Sequence, residues 1–169
     1  MRFLRTIRLD ASDEQVFERA AAADEWAVPG TFAFADTPPE ALHGKTGQAF
    51  CHGFLGLDSF GWSTLVAVAE ITPAELEAVV ETLARQFVEH YGAPSLEAAR
   101  AAARAEAEFA RGLCEHPVNT LIAVERELGP DGIVERFRTI EPLARGRHAN
   151  IWSIARDDDG DRPGAAGSA

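Results

Sequence analysis

The feature that most constrains this chain is a block of helical signals from residue 72 to 117, set between segments with the two-residue rhythm of strands. Thr72-Pro73-Ala74-Glu75 combines a hydroxyl cap, a proline at the first helical position and a glutamate placed to reach back to the cap. Leu76, Val79, Val80, Leu83, Phe87 and Tyr91 then recur at helical spacing, and Gly92 followed by Pro94 stops the run. Ser95 caps a second helix, rich in alanine, that the pattern carries to about Glu115 before Pro117. So short a connection makes the two helices an antiparallel hairpin. The stripe of Leu76, Val80, Leu83 and Phe87 is expected to pack on a sheet, with Glu77, Glu81 and Arg85 facing solvent.

The flanking segments supply that sheet. Arg2 to Leu9 alternates, with Phe3, Ile7 and Leu9 on one face and Arg2, Leu4, Thr6 and Arg8 on the other. Ser12 and Gln15 stand at the two ends of a capping box for a helix carrying Val16, Phe17 and Ala20. Pro29-Gly30 forces a turn before a short strand at Thr31 to Phe34, and Asp36 to Gly47 reads as a surface loop. Gln48 to Leu55 and Ser59 to Ile71 read as an antiparallel hairpin joined by Gly56-Leu57-Asp58-Ser59. The second of these runs is apolar on both faces and so belongs inside the sheet. Thr120 to Leu128, a Gly129-Pro130-Asp131-Gly132 turn and Ile133 to Ile140 form another hairpin, and His148 to Ile154 adds a strand. Its alternating Arg126, Arg136 and Arg138 with Glu125, Glu127, Glu135 and Glu141 read as cross-strand ion pairs. The expected fold is α+β, an antiparallel sheet of about five to seven strands with a helical hairpin packed on one face. Residues 1–155 read as a single domain, and 156–169, acidic and then rich in Gly, Pro and Ala, as a disordered tail.

Charge and composition narrow the function classes. A net charge of −11 argues against a nucleic-acid binder, which needs basic groups to neutralise phosphates. No apolar run reaches the length of a membrane span, and the charged Met1 to Arg8 segment lacks the apolar core of a secretory signal. Two cysteines are too few for a disulfide framework, so the expected compartment is the cytoplasm of a bacterium. Gly44-Lys45-Thr46, which holds the chain's sole lysine, imitates the end of a phosphate-binding loop, but Pro39 stands where that motif needs glycine. Asp157-Asp158-Asp159-Gly160 imitates part of a calcium loop, with Ala155 at the first ligand position. No cofactor is expected.

Both cysteines neighbour a histidine, in Cys51-His52 and Cys114-Glu115-His116, and thiolate with imidazole is a good donor set for zinc. In a strand, however, Cys51 and His52 point to opposite faces, and in a helix Cys114 and His116 are about 200° apart. Buried apolar thiols are the plainer reading. As a nucleophile Cys51 is the better placed, because Cys114 lies near a helix C-terminus, where the dipole disfavours a thiolate. Trp62, Asp58 and Ser63 are the nearest groups for a ligand pocket beside Cys51 and His52.

The blocks Arg2-Phe3-Leu4-Arg5, Leu9-Asp10, Ala27 to Phe34, Phe50-Cys51-His52-Gly53-Phe54 and Gly61-Trp62-Ser63 resemble an uncharacterised family of small proteobacterial proteins, a domain of unknown function, over residues 1–142. The resemblance implies a setting among gene clusters for molybdenum or iron–sulfur oxidoreductases and cofactor-attaching ligases. The reading that follows is a non-enzymatic cytoplasmic accessory protein, with a protein partner or a second copy of itself, that assists maturation of such a redox enzyme. Its contact site would be apolar surface on the alanine-rich helix or on edge strands. The alternative is a small-molecule-binding protein or enzyme with a pocket between sheet and helical hairpin near Cys51 and His52.

Overall fold

The computed structural model describes residues 1–8, 11–142 and 152–155. One antiparallel sheet runs through it, built from β1 (Arg2–Ile7), β2 (Trp26–Val28), β3 (Phe54–Gly56), β4 (Trp62–Ser63), β5 (Leu65–Glu70), β6 (Leu121–Gly129), β7 (Gly132–Pro142) and β8 (Trp152–Ala155). Their order is β4-β3-β2-β1-β5-β6-β7-β8, seven strands of three residues or more with the two-residue β4 on one edge. The helices are α1 (Ser12–Val16), α2 (Gly44–His52), α3 (Pro73–His90) and α4 (Leu96–Gly112). The expected class, an antiparallel sheet with a packed helical hairpin, is what the chain adopts.

Local signals hold throughout the hairpin. Thr72 accepts from the Glu75 N–H at 3.2 Å while Glu75 accepts from the Thr72 N–H at 2.8 Å, a complete capping box. Ser95 caps α4 by accepting from Ala98 at 3.1 Å. Leu76, Val80, Leu83 and Phe87 are buried as expected. Glu77 and Glu81 point away from the core and form two-pronged ion pairs with Arg104 and Arg100 of α4. Ala99, Ala103, Ala107 and Ala110 are buried along one face of α4, and their small side chains let the helix lie close against the sheet.

A single residue sets the curvature of the sheet. β4 and β5 are consecutive but for Thr64, yet they stand first and fifth in the strand order. The sheet therefore curls until its β4 edge meets the start of β5. Asp13, itself buried, accepts the Thr64 hydroxyl at 2.7 Å, and the Ser63 hydroxyl donates to the Leu65 carbonyl at 2.7 Å. The one strand expected over Ser59 to Ile71 is thus two. β3 and β4 pair as the expected hairpin, with Leu55 opposite Trp62, while β5 lies between β1 and β6 in the interior of the sheet.

Other local expectations are corrected. Ser12 is the first residue of α1 rather than its cap, and α1 ends by Phe17, because the following backbone pairs with Trp62 instead of continuing the helix. Trp62 N–H donates to the Arg19 carbonyl and Ala21 N–H to the Trp62 carbonyl, both at 2.8 Å. Thr31–Phe34 is a 3-10 turn rather than a strand, entered through Gly30 at φ +77°, where a side chain would also strike Leu55. Residues 44–52, expected as loop and then strand, form α2. Phe50 and Phe54 are spaced for one face of either element, and Gly53 stops the helix. Cys51 and His52 consequently ride on a helix. The final strand begins at Trp152 within the described residues, and the expected tail, residues 156–169, lies outside them.

Candidate functional site

A candidate site is a cleft between α2, the α1–β2 connection, the β3–β4 turn and the end of α3. Two adjoining cavities of about 430 and 490 Å3 share Arg19, Phe34, Thr46, Phe60 and Trp62. Lys45 and Glu18 line the first, and Gln86 and Tyr91 of α3 line the second. Phe34 and Trp62 form the floor, their ring centroids 5.0 Å apart and tilted by 31°. Phe34 is anchored beneath by an edge contact to Phe50 of α2. Lys45 and Thr46 belong to the first turn of α2, which carries no acidic residue, so the partial positive charge of the helix start is not cancelled locally.

Phe60 is the informative residue. Its φ is +52°, a region that bulky side chains rarely occupy and that costs of order 1–3 kcal/mol unless the surroundings impose it. Here they do. Glu25 is 3 % exposed, and its carboxylate accepts three backbone N–H groups, Ala22 at 2.7 Å, Asp58 at 2.9 Å and Ser59 at 3.0 Å. A Cβ on Gly56 would fall 2.2 Å from that carboxylate. The Ser59 hydroxyl receives the Gly61 N–H, and Gly56 donates to the Gly61 carbonyl. The turn from residue 57 to 61 is thereby tied to a buried charge, and it carries the Phe60 ring into the cleft.

Behind this corner lies a second buried ionic group. The Arg126 side chain is fully enclosed and donates to Glu135 at 2.6 Å, to the Thr31 hydroxyl at 3.0 Å, and to the carbonyls of Phe50 at 3.0 Å and Gly53 at 2.8 Å, as well as to Pro29. It thus collects the carbonyl ends of β2 and α2, which have no ladder partners there. Arg126 and Glu135 are register partners across β6 and β7, and Arg136–Glu127 and Arg138–Glu125 are the exposed pairs of the same hairpin. Glu106 of α4 approaches the group, hydrogen-bonded to the Gly30 backbone, and burial raises its carboxyl above the ordinary range, with Glu135 adding to the shift and Arg126 opposing it.

The cysteine and histidine candidates are not brought together. Among the described residues no group of three or more His, Cys, Asp or Glu side chains is placed to hold a metal. His52 has its Nδ1 3.4 Å from the Val124 carbonyl, and Cys51 is half-buried against Phe50 and its neighbours. Cys114 is buried after α4 with its thiol directed at the Ala110 carbonyl, and burial pushes its pKa up to about 12, which leaves it a poor nucleophile. The carbonyl of His116 accepts from Arg2. Of the ligand candidates, Trp62 lines the cleft; Asp58 is exposed, its backbone serving Glu25; Ser63 is buried and spans the Ile7 and Leu65 carbonyls. Neither Cys51 nor His52 lines either cavity; His52, in the last turn of α2, has its ring beside the Val124 carbonyl of β6 instead. Sequence reasoning missed Arg19, Glu25, Phe34 and Phe60. The one available signal was an aromatic next to Gly61 in a tight hairpin turn.

No helix among the described residues is long and apolar enough to cross a membrane. Residues 1–156 match a family model described as a family of unknown function, DUF6505. No curated protein and no solved structure matches the chain.

Proposed function

We propose that this chain, which belongs to the DUF6505 family of unknown function, is a small-molecule-binding protein whose ligand occupies the cleft floored by Trp62 and Phe34. One observation carries the reading: a buried carboxylate, Glu25, holds a turn in a conformation that strains Phe60 and puts its ring into a cavity of ligand size. Strain of this kind is kept where geometry is needed for something other than stability. A thermal-shift screen of a fragment collection tests it, run on the wild type and on Phe60→Gly. Compounds that raise the melting temperature of the wild type and not of the variant support the reading; hits insensitive to Phe60 remove it.

A second reading, the accessory protein of a redox enzyme, has its own observation. Ala98, Ala101, Ala102, Ala105, Phe109 and Gly112 are all exposed and fall on one side of α4, and Phe109 keeps 49 % of its surface in solvent. Such a stripe suits a protein contact on the alanine-rich helix. Tagged wild type should retain a stoichiometric partner from its host that Phe109→Asp loses; equal recovery by both chains counts against it.

A further inference from the structure

The cleft carries two cations without an ion-pair partner among the described residues, on a chain that is strongly acidic. The chain carries 27 acidic residues against 16 Lys and Arg, so a basic side chain has carboxylates in excess to meet. Seven arginines do sit within ion-pair distance of one. Of the other described basic residues, Arg2 donates to the His116 carbonyl, Arg5 lies over the Trp26 ring and Arg85 reaches the Glu81 carbonyl. Arg19 and Lys45 make no ion pair among the described residues, and Arg19 donates to the Ser59 carbonyl at 3.4 Å. Both line the same cavity, where Glu18 is the lone acidic residue. With them stand three aromatic rings, Phe34 and Trp62 on the floor and the Phe60 that the turn forces into place.

We propose that the ligand of this cleft is a planar aromatic molecule bearing an anionic group, its ring lying against Trp62 and Phe60 and its carboxylate or phosphate held by Arg19 and Lys45. The assignment rests on the reading of the cleft as a binding site and names the chemistry of its occupant. Each part of the ligand answers a separate feature. An aromatic wall takes any flat π-face by stacking. Two cations without an ion-pair partner give charge-assisted hydrogen bonds to an anion, and because both are solvent-exposed salt weakens that attraction. A neutral aromatic leaves both cations unanswered, and a bare anion leaves the rings in water. The cleft selects for the combination.

Isothermal titration of the full chain with four probes tests this: adenosine 5′-monophosphate, naphthalene-2-carboxylate, adenosine and inorganic phosphate. At least one of the two ring-bearing anions should bind about tenfold or more tightly than both adenosine and phosphate, with affinity falling as salt rises. Which of the two binds separates a nucleotide from an aromatic acid as the source of the chemistry. Arg19→Gln with Lys45→Gln should lower that affinity by about tenfold or more and leave the circular dichroism spectrum and melting temperature unchanged. Trp62→Phe, which keeps a flat ring, should retain most of it. Adenosine binding as tightly as its monophosphate, phosphate binding as tightly alone, or no binding by either anion overturns the assignment. Neutral fragments that bind in a Phe60-dependent way would then keep the binding reading while the anionic ligand falls; absence of both removes both.

Discussion

The helical hairpin and the corner that forms the cleft are held together by different physics. In α3 and α4 the stabilising contacts are continuous. Leu76, Val79, Val80, Leu83 and Phe87 repeat one apolar surface over the whole length of α3, and hydroxyl caps satisfy the helix starts. The polar contacts between the two helices lie outside, at Glu77–Arg104 and Glu81–Arg100, where solvent weakens them. The corner reverses this arrangement. Its segments are short or irregular, and a few buried charged side chains satisfy their backbones: Asp13 at Thr64, Glu25 at the 57–61 turn, Arg126 at the ends of β2 and α2. Regular structure spreads its stability over many contacts. Irregular structure concentrates it in single polar groups, and so can hold a strained aromatic at a chosen spot.

That contrast can be broken by mutation. Phe87→Ala should cost on the order of 3–5 kcal/mol in a denaturant titration, since it removes a buried ring packed against Phe32 and Tyr91; an unchanged midpoint means that α3 is not docked by this stripe. Glu25→Gln keeps the shape of the side chain but turns an amide toward the Ala22 N–H. It should cost roughly 1–3 kcal/mol, and the turn amides of Asp58 and Ser59 should exchange hydrogen faster. If exchange there stays at the wild-type rate, Glu25 is not what holds the turn.

Phe60→Gly sharpens the comparison. Relief of the strained φ offsets much of the lost burial, so stability should stay within about 1 kcal/mol of wild type, far less than the effect at Phe87. A loss as large as that of Phe87→Ala would make Phe60 an ordinary core residue. Glu106 joins the two regions, and its titration gives a smaller effect. Its folded pKa lies above the ordinary range, so the stability it contributes is full below the unfolded pKa and is lost as pH rises through the folded one. Glu106→Gln should flatten the pH dependence of the melting temperature above the ordinary glutamate range; parallel curves for variant and wild type contradict the assignment. At the bottom of the scale, Glu81→Ala should leave the denaturation midpoint unchanged within measurement, since its pair with Arg100 is exposed. A measurable loss would show that the exposed pairs help clamp the hairpin.

The same division governs what could be read in advance. Thr72, Pro73 and Glu75 announce α3 because a cap acts on residues three positions away, and the stripe from Leu76 to Phe87 repeats with a period that strands do not share. The β6–β7 register was legible for a similar reason, since Pro130-Asp131 places Arg126 opposite Glu135. Residues 44–52 were not. Phe50 and Phe54 suit either element, and Gly44, Gly47 and Gly53 interrupt any propensity sum, so contacts of Phe50 with Phe34 and with the Arg126 guanidinium decide in favour of a helix. Trp62 stood among the candidates as an aromatic beside Ser63, whereas its cationic neighbours Arg19 and Lys45 arrive from chain segments 43 and 17 residues away.

By itself, then, the amino-acid sequence determined the fold class, both long helices with their caps and buried stripe, and the hairpin pairings across tight turns, because these depend on interactions spanning four residues or a single turn. Tertiary structure alone decided that the chain breaks at Thr64, that the sheet curls until β4 meets β5, that Gly44–His52 is helical, and that Arg19, Lys45, Phe60 and Trp62 share one cleft. Each of those outcomes turns on a buried polar group, Asp13, Glu25 or Arg126, finding partners far along the chain, the Thr64 hydroxyl for Asp13 and backbone groups for Glu25 and Arg126. A desolvated charge gains its stabilisation only once the surrounding groups are in place, and no local pattern records where they will be.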